Sequence, residues 1–216
     1  MYLYATSDGS MWLGYRSVLA KYDTNGQLVK EYPIRNEHGG ASISGFCESR
    51  NHEIIISVWN GRVYHLDKEK DEFIPYPDKM RSRNPTVMVQ DNEQDYFWLA
   101  TWGDGVVRFD PSAPGDSMFV YSEIPVNAAG EEDGLILSLA QDDKLGYIWL
   151  TTGHDFMALQ IQPDRTLKQL KFPAGLLPVN HMLVEVLKGK ECLWVSAFDR
   201  PSFILHLMDN ITKDYA

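Results

Sequence analysis

The chain has 216 residues, a formal charge of −10 at pH 7, 44% hydrophobic and 12% aromatic residues. That charge argues against nucleic acid and anionic membrane as partners, since both select a basic surface. No apolar run approaches the ~18 residues of a membrane span, and the apolar fraction is ample for a packed core.

Tyr2-Leu3-Tyr4-Ala5-Thr6 follows Met1 at once as a strand, so no signal peptide is expected at this start. Ser7-Asp8-Gly9-Ser10 turns into Met11-Trp12-Leu13-Gly14. Val18 to Asp23 returns, Thr24-Asn25-Gly26 is a tight turn, and Gln27 to Pro33 makes an outer strand. Asn36 to Gly40 is a polar link. Ser42 to Glu48 opens a second set, Arg50-Asn51-His52 turns, and Ile54 to Val58 and Arg62 to Asp67 follow. Phe73 to Tyr76 ends it, where Pro75 and Pro77 suit an outer edge.

Asp78 to Asn84 is the next polar link, and Thr86 to Asp91 opens the third set. Tyr96 to Pro111 then states the pattern most clearly. Phe97-Trp98-Leu99-Ala100-Thr101 is a buried strand, Gly103-Asp104-Gly105 a turn with glycines for positive φ, and Val106 to Asp110 the return strand, ended by Pro111. Met118 to Tyr121 is outer, and Glu123 to Asp133 is the longest link. Leu135 to Gln141, Ile148 to Thr152, Leu159 to Ile161 and Thr166 to Phe172 form the fourth set. Pro173 to Asn180 leads to Met182 to Leu187, Cys192 to Ala197 and Phe203 to Leu207, with Ile211 to Tyr215 only a poor outer strand.

The same phrase therefore recurs, anchored at Trp12, Ile55, Trp98, Trp149 and Trp194, with spacings from 43 to 51 residues. Self-similarity at this period, built from short strands, marks a β-propeller. The predicted fold is all-β: about five four-stranded blades near 1–35, 41–77, 85–122, 134–173 and 180–216, with almost no helix. The anchor tryptophans are expected in the core between blades. Cys47 and Cys192 fall in different blades and read as buried free thiols.

Two further tryptophans, Trp59 and Trp102, lie just past the second strand of blades two and three, at equivalent turns. The matching places are Gly153 in blade four and Phe198 in blade five. Equivalent turns of adjacent blades share one propeller face with the inter-blade links. Aromatics there can stack on the apolar face of a sugar ring, and Asn60, Asp104, His154, Asp155, Asp199 and Arg200 can hydrogen-bond its hydroxyls. The links add Arg81, Arg83, Asn84 and His181; the two arginines can grip a uronate or sulfate. The alternative is that these aromatics only cover blade ends, and that the arginines are solvated or pair with local acids.

For catalysis the sequence is thin. No two of the six histidines have metal-ligand spacing, and there is no Gly-x-Ser-x-Gly or P-loop. His154-Asp155, with His181 on the next link, could serve as a base with its orienting acid in a lyase; the alternative is a surface histidine. No cofactor and no metal are expected.

Gln141-Asp142-Asp143-Lys144-Leu145-Gly146-Tyr147-Ile148-Trp149-Leu150-Thr151-Thr152 resembles the two-component regulator propeller repeat. So does Phe97 to Thr101 followed by Gly103, Gly105 and Arg108-Phe109-Asp110. Blade two departs in having Ile55, and blade five in having Phe198-Asp199-Arg200-Pro201. The resemblance implies part of a seven-bladed propeller from the periplasmic sensor region of a Bacteroides-type hybrid two-component system. It implies an oligosaccharide ligand bound without turnover, and no membrane contact by this segment. A protein-interaction scaffold and an enzyme similar to streptogramin lyase are the alternatives. Open blade edges would then favour a homo-oligomer through the first and fifth blades, unless an irregular five-bladed ring closes.

Overall fold

The computed structural model describes residues 2–36, 39–40, 42–59, 62–77, 80–81, 84–127, 129–142, 146–153, 155–170, 179–187, 190–197 and 203–206, the last three segments by their backbone. The strands form five antiparallel meanders, each the product of alternating strands and tight turns. Blade one holds β1 (Tyr2–Ala5), β2 (Met11–Tyr15), β3 (Val18–Tyr22) and β4 (Leu28–Pro33). A short hairpin, β5 (Arg35–Asn36) and β6 (Gly39–Gly40), occupies the stretch that the sequence reads as a polar link; Gly39 has φ 107°, open to glycine. Blade two holds β7 (Ile43–Glu48), β8 (Ile54–Val58), β9 (Val63–Asp67) and β10 (Glu72–Pro75).

Blade three holds β11 (Pro85–Gln90), β12 (Phe97–Thr101), β13 (Val106–Phe109) and β14 (Phe119–Tyr121), with a 3-10 turn at Gly115–Met118. Blade four holds β15 (Ile136–Asp142), β16 (Tyr147–Thr152), β17 (Phe156–Ile161) and β18 (Leu167–Leu170). A three-stranded sheet follows, β19 (Val179–Leu187), β20 (Lys190–Ala197) and β21 (Phe203–His206). The expected outer strand at 211–215 lies outside the described residues. The all-β architecture is as the repeat implied.

The chain divides into two compact units, Met1–Trp102 with Val107–Tyr121, and Gly103–Val106 with Ser122–Ala216. In the first unit, blades pack face to face through two apolar seams. Trp12, Leu19, Tyr32 and Ile34 of blade one and its exit meet Phe46, Ile54, Ile56, Val58 and Tyr64 of blade two. Cys47, Ile55, Val63, Tyr76 and Met80 then meet Met88, Phe97, Leu99, Val107, Phe109 and Phe119 of blade three. Each such side chain contributes about 1.5–3 kcal/mol on full burial. Polar ties close the outer rim of the first seam: Lys30 Nζ reaches Asp71 Oδ2 at 2.6 Å, and the Tyr32 hydroxyl donates to Asp71 Oδ1 at 2.8 Å. Lys30 first, then Tyr32, holds the Asp71 carboxyl below its usual range.

In the second unit Trp149 stacks on Phe156 with centroids 5.5 Å apart. Gln169 on β18 secures the preceding link, accepting from the Val126 amide at 2.7 Å and donating to the Val126 carbonyl at 2.6 Å.

The anchor tryptophans carry a second restraint. Trp98 Nε1 donates to Asp91 Oδ2 at 2.9 Å, and Asp91 Oδ1 accepts the amides of Glu93 and Gln94, so one buried carboxylate caps the β11–β12 turn and fixes the indole. Trp149 Nε1 meets Asp142 Oδ2 likewise at 3.2 Å. Blades one and two put Thr6 and Ser49 at that place, where each amide closes the turn onto Ser10 and Glu53. Trp12 Nε1 is accordingly buried with no hydrogen-bond partner among the described residues, and Ile55 needs none. Trp98→Phe breaks a charge-assisted bond to the buried Asp91 carboxylate, whereas Trp12→Phe removes a donor that has no acceptor. In urea denaturation Trp98→Phe is expected to destabilise more than Trp12→Phe by about 1–3 kcal/mol; equal losses would contradict the assignment.

Candidate functional site

One end of blades two and three is built by the same closure. The amide just past the second strand donates back across the first: Trp59 N to Ser42 O at 2.7 Å, and Trp102 N to Asn84 O at 2.8 Å. Beside it the first strand carries a bulge in every described sheet except that of blade one and the short hairpin, between Ile43 and Gly45, Pro85 and Val87, Ile136 and Ser138, and Val179 and His181. Bulges re-aim side chains at strand ends and are common beside binding sites. Gly45 belongs to this closure: a Cβ there would lie 2.5 Å from Ser57 Oγ.

The closure brings Trp59 and Trp102 together, ring edge to ring face, with centroids 5.2 Å apart at an interplanar angle of 90°. Trp102 is 50% exposed, so half of a large apolar side chain meets solvent at the end of the seam. Asn84 holds Trp102 through its backbone, while its Oδ1 is buried without a hydrogen-bond partner. A buried acceptor left unmatched costs about 1–3 kcal/mol.

Arg81 stands elsewhere. Its amide donates to the Tyr121 hydroxyl and its guanidinium lies 4.2 Å over the Tyr121 ring, at the β14 edge of the sheet, whereas Asn84 adjoins β11. The three-residue interval between Arg81 and Asn84 thus separates them to opposite sheet edges. Tyr121 was not among the residues singled out from the sequence; its place at the end of an outer strand gave no signal.

In the second unit Asp104 rides on a turn made by Gly103 and Gly105, whose amides both donate to the Gly134 carbonyl, at 2.8 and 3.3 Å. Gly134 is required there, since a Cβ would come within 2.2 Å of the Gly103 carbonyl oxygen. Asp155 closes a turn in which Thr152 N donates to its carbonyl at 2.8 Å and its own amide donates to Thr152 Oγ1 at 2.9 Å. His181 sits on β19 opposite Ser196, directly after the bulge. Asn60, Arg83, His154, Phe198, Asp199 and Arg200 lie outside the described residues.

At the other end of the blades is a cluster the sequence reading did not assemble. Ser7 donates through its amide and hydroxyl to the two Glu48 oxygens, and His52 Nδ1 lies 2.9 Å from both Ser7 Oγ and Glu48 Oε1. Burial pushes the Glu48 carboxyl up, but the bonds from Ser7 and His52 outweigh it and hold the group below its usual range. This is not a nucleophile relay: serine and carboxylate share one ring nitrogen and bond each other directly, so the imidazole does not stand between them. The cluster instead joins blade one to blade two. Among the described residues no group of His, Cys, Asp or Glu could hold a metal ion, and no helix is long and apolar enough to cross a membrane.

No protein-family model and no curated protein matches the chain. Solved structures do. PorZ, a surface component of the type-IX secretion system of Porphyromonas gingivalis, is 15% identical with a TM-score of 0.69 over 93% of this chain and 31% of that one. Virginiamycin B lyase from Staphylococcus aureus is 16% identical with a TM-score of 0.67 over 95% of this chain and 69% of that one. The extracellular domain of BT4673 from B. thetaiotaomicron, assigned to a hybrid two-component system, is 15% identical with a TM-score of 0.64 over 94% of this chain and 29% of that one. The chain thus spans about a third or less of two of these proteins. At such identities the likeness establishes the fold, a β-propeller architecture.

Gly134→Ala is expected to displace the Gly103-Asp104-Gly105 turn and cost about 1–3 kcal/mol in urea denaturation, as overpacking does. A variant as stable as wild type, with unchanged amide shifts at Gly103 and Gly105, would contradict that geometry.

Proposed function

We propose that the chain is a ligand-sensing propeller segment of an extracytoplasmic hybrid two-component sensor, and that it binds an oligosaccharide without turning it over. The observation that carries this reading is the half-exposed Trp102, set against Trp59 and hydrogen-bonded to Asn84, whose own side-chain oxygen is buried and unmatched. An indole face accepts the C–H face of a pyranose, and an amide oxygen accepts a sugar hydroxyl. Asn60, next to Trp59 in the sequence, would supply a further polar contact. The likeness to the extracellular two-component domain and the repeat motif support a periplasmic setting.

A lyase is the second reading, favoured by the fold likeness to virginiamycin B lyase. It needs an acid–base pair at the substrate, with His154 and Asp155 as its candidates. A protein-interaction scaffold is the third, in which Trp59 and Trp102 face a protein.

Calorimetry against a panel of neutral and acidic plant and host oligosaccharides tests the proposal. At least one is expected to bind, and Trp102→Ala to weaken it about tenfold or more while the melting temperature stays nearly unchanged, because the ring is half exposed. Mass spectrometry of the bound sugar should find it intact. No binding across the panel, or an unsaturated or hydrolysed product, would overturn the reading.

A further inference from the structure

The two ends of the blades in the first unit carry opposite charge. At one end lie the turns between first and second and between third and fourth strands, with Asp8, Asp23, Asp71, Asp95 and Asp110. Cations there are paired: Lys21 with Asp8, Lys30 with Asp71, Arg50 with Asp95 and Lys70 with Asp67. At the end that holds Trp59 and Trp102, the turns and links carry Arg16, Arg35, Arg62 and Arg81 instead. Arg16, Arg35 and Arg81 are exposed, and none of these three forms an ion pair among the described residues. Glu31 on β4 accepts the Tyr15 hydroxyl. In sequence the two links add Lys79 and Arg83 against Glu37 and Asp78, so the surplus of cations stands.

The backbone sets these arginines out across the end. Arg16 makes the β2–β3 turn at φ 51°, a position that Asn or Gly fills at less cost. The Ile34 amide donates to the Ser17 carbonyl at 2.8 Å, which puts Arg35 beside that turn. The Arg35 carbonyl accepts the Tyr64 hydroxyl of blade two at 3.1 Å. Arg81 lies over Tyr121, on the outer strand of blade three. Neighbouring blades cover sheet faces, as in both seams, and leave strand ends to other partners.

We infer that the ligand of this end is an anionic oligosaccharide, with carboxylates or sulfates held by Arg16 and Arg35 while a sugar ring lies on Trp102. The inference rests on the glycan reading above and adds the charge and the length. A guanidinium meets a carboxylate or sulfate through two parallel hydrogen bonds. Packed sheets lie ~10 Å apart, so sites on blades one to three spread over ~20 Å, which calls for a chain and not a single charged sugar. The net charge of −10 does not forbid it. Five-residue strands at ~3.3 Å per residue put the acidic end ~17 Å away, beyond the ~8 Å screening length of physiological salt.

Calorimetry on the whole chain with sugars that differ only in charge tests this: an oligogalacturonate against its methyl ester, and a sulfated oligosaccharide against its desulfated twin. At least one acidic member is expected to bind about tenfold or more tighter than its neutral twin, the size of one charge-assisted hydrogen bond. Added salt should narrow that gap. Arg16→Gln with Arg35→Gln should weaken the acidic sugar about tenfold or more and leave the melting temperature and any neutral-sugar binding unchanged. Arg16→Gly, suited to the φ of 51°, should weaken it too without disturbing the turn. Trp102→Ala should weaken both kinds of sugar. Neutral twins that bind as tightly as the acidic ones would overturn the inference and leave the glycan reading standing; no binding by any sugar would overturn both. Arginine variants without effect, or polyglutamate bound as tightly as the acidic sugar, would also overturn it.

Discussion

A four-stranded sheet of five-residue strands has two apolar faces and cannot bury either by itself. Everything in the first unit follows from that constraint. Blade one uses Trp12 and Tyr32 to cover Phe46 and Ile56, and blade two uses Ile55 and Tyr76 to cover Phe97 and Leu99. Stability is thus a property of seams rather than of sheets, as in other repeat architectures. The polar groups are arranged around this. Lys30, Tyr32 and Asp71 tie the rim of one seam, and Ser7, Glu48 and His52 tie one of its ends.

Seam burial also leaves the far end of each blade free for other work. In blades two and three the second strand runs out there, the next amide closes on the neighbouring strand, and the side chain it carries has no sheet to pack in. Trp59 and Trp102 occupy that position in adjacent blades, so the seam that buries Ile55 and Phe97 also brings the two indoles within 5.2 Å. The bulge in the first strand recurs at this same end in four sheets. A recognition surface here can change residue by residue while the seams keep the fold.

Much of this was legible in the sequence because period and type agree. The alternation of short strands with Gly, Asn and Asp turns gave the all-β class, and the tryptophan spacing gave the adjacency of Trp59 and Trp102. What was not legible came from contacts across long separations. Nothing in the sequence pairs Ser7 with Glu48, or places Arg81 over Tyr121, because each pairing spans a whole blade. The Asp91–Trp98 tie is local, but the sequence places Asp91 at the end of one strand and Trp98 in the core, and only the hairpin brings them together. Gly134 was passed over because its role is to admit the backbone of a turn some thirty residues earlier.

The proposed site lies at the free end of the seam, and not in its core or at its outer rim. Fluorine resonance spectroscopy of protein labelled with 5-fluorotryptophan reads this directly, since the chain has six tryptophans. Titration with a bound oligosaccharide should move two resonances, those lost in Trp59→Phe and Trp102→Phe, and leave the signals of Trp12, Trp98 and Trp149 in place. Shifts confined to the anchor tryptophans, or spread equally over all six, would contradict it.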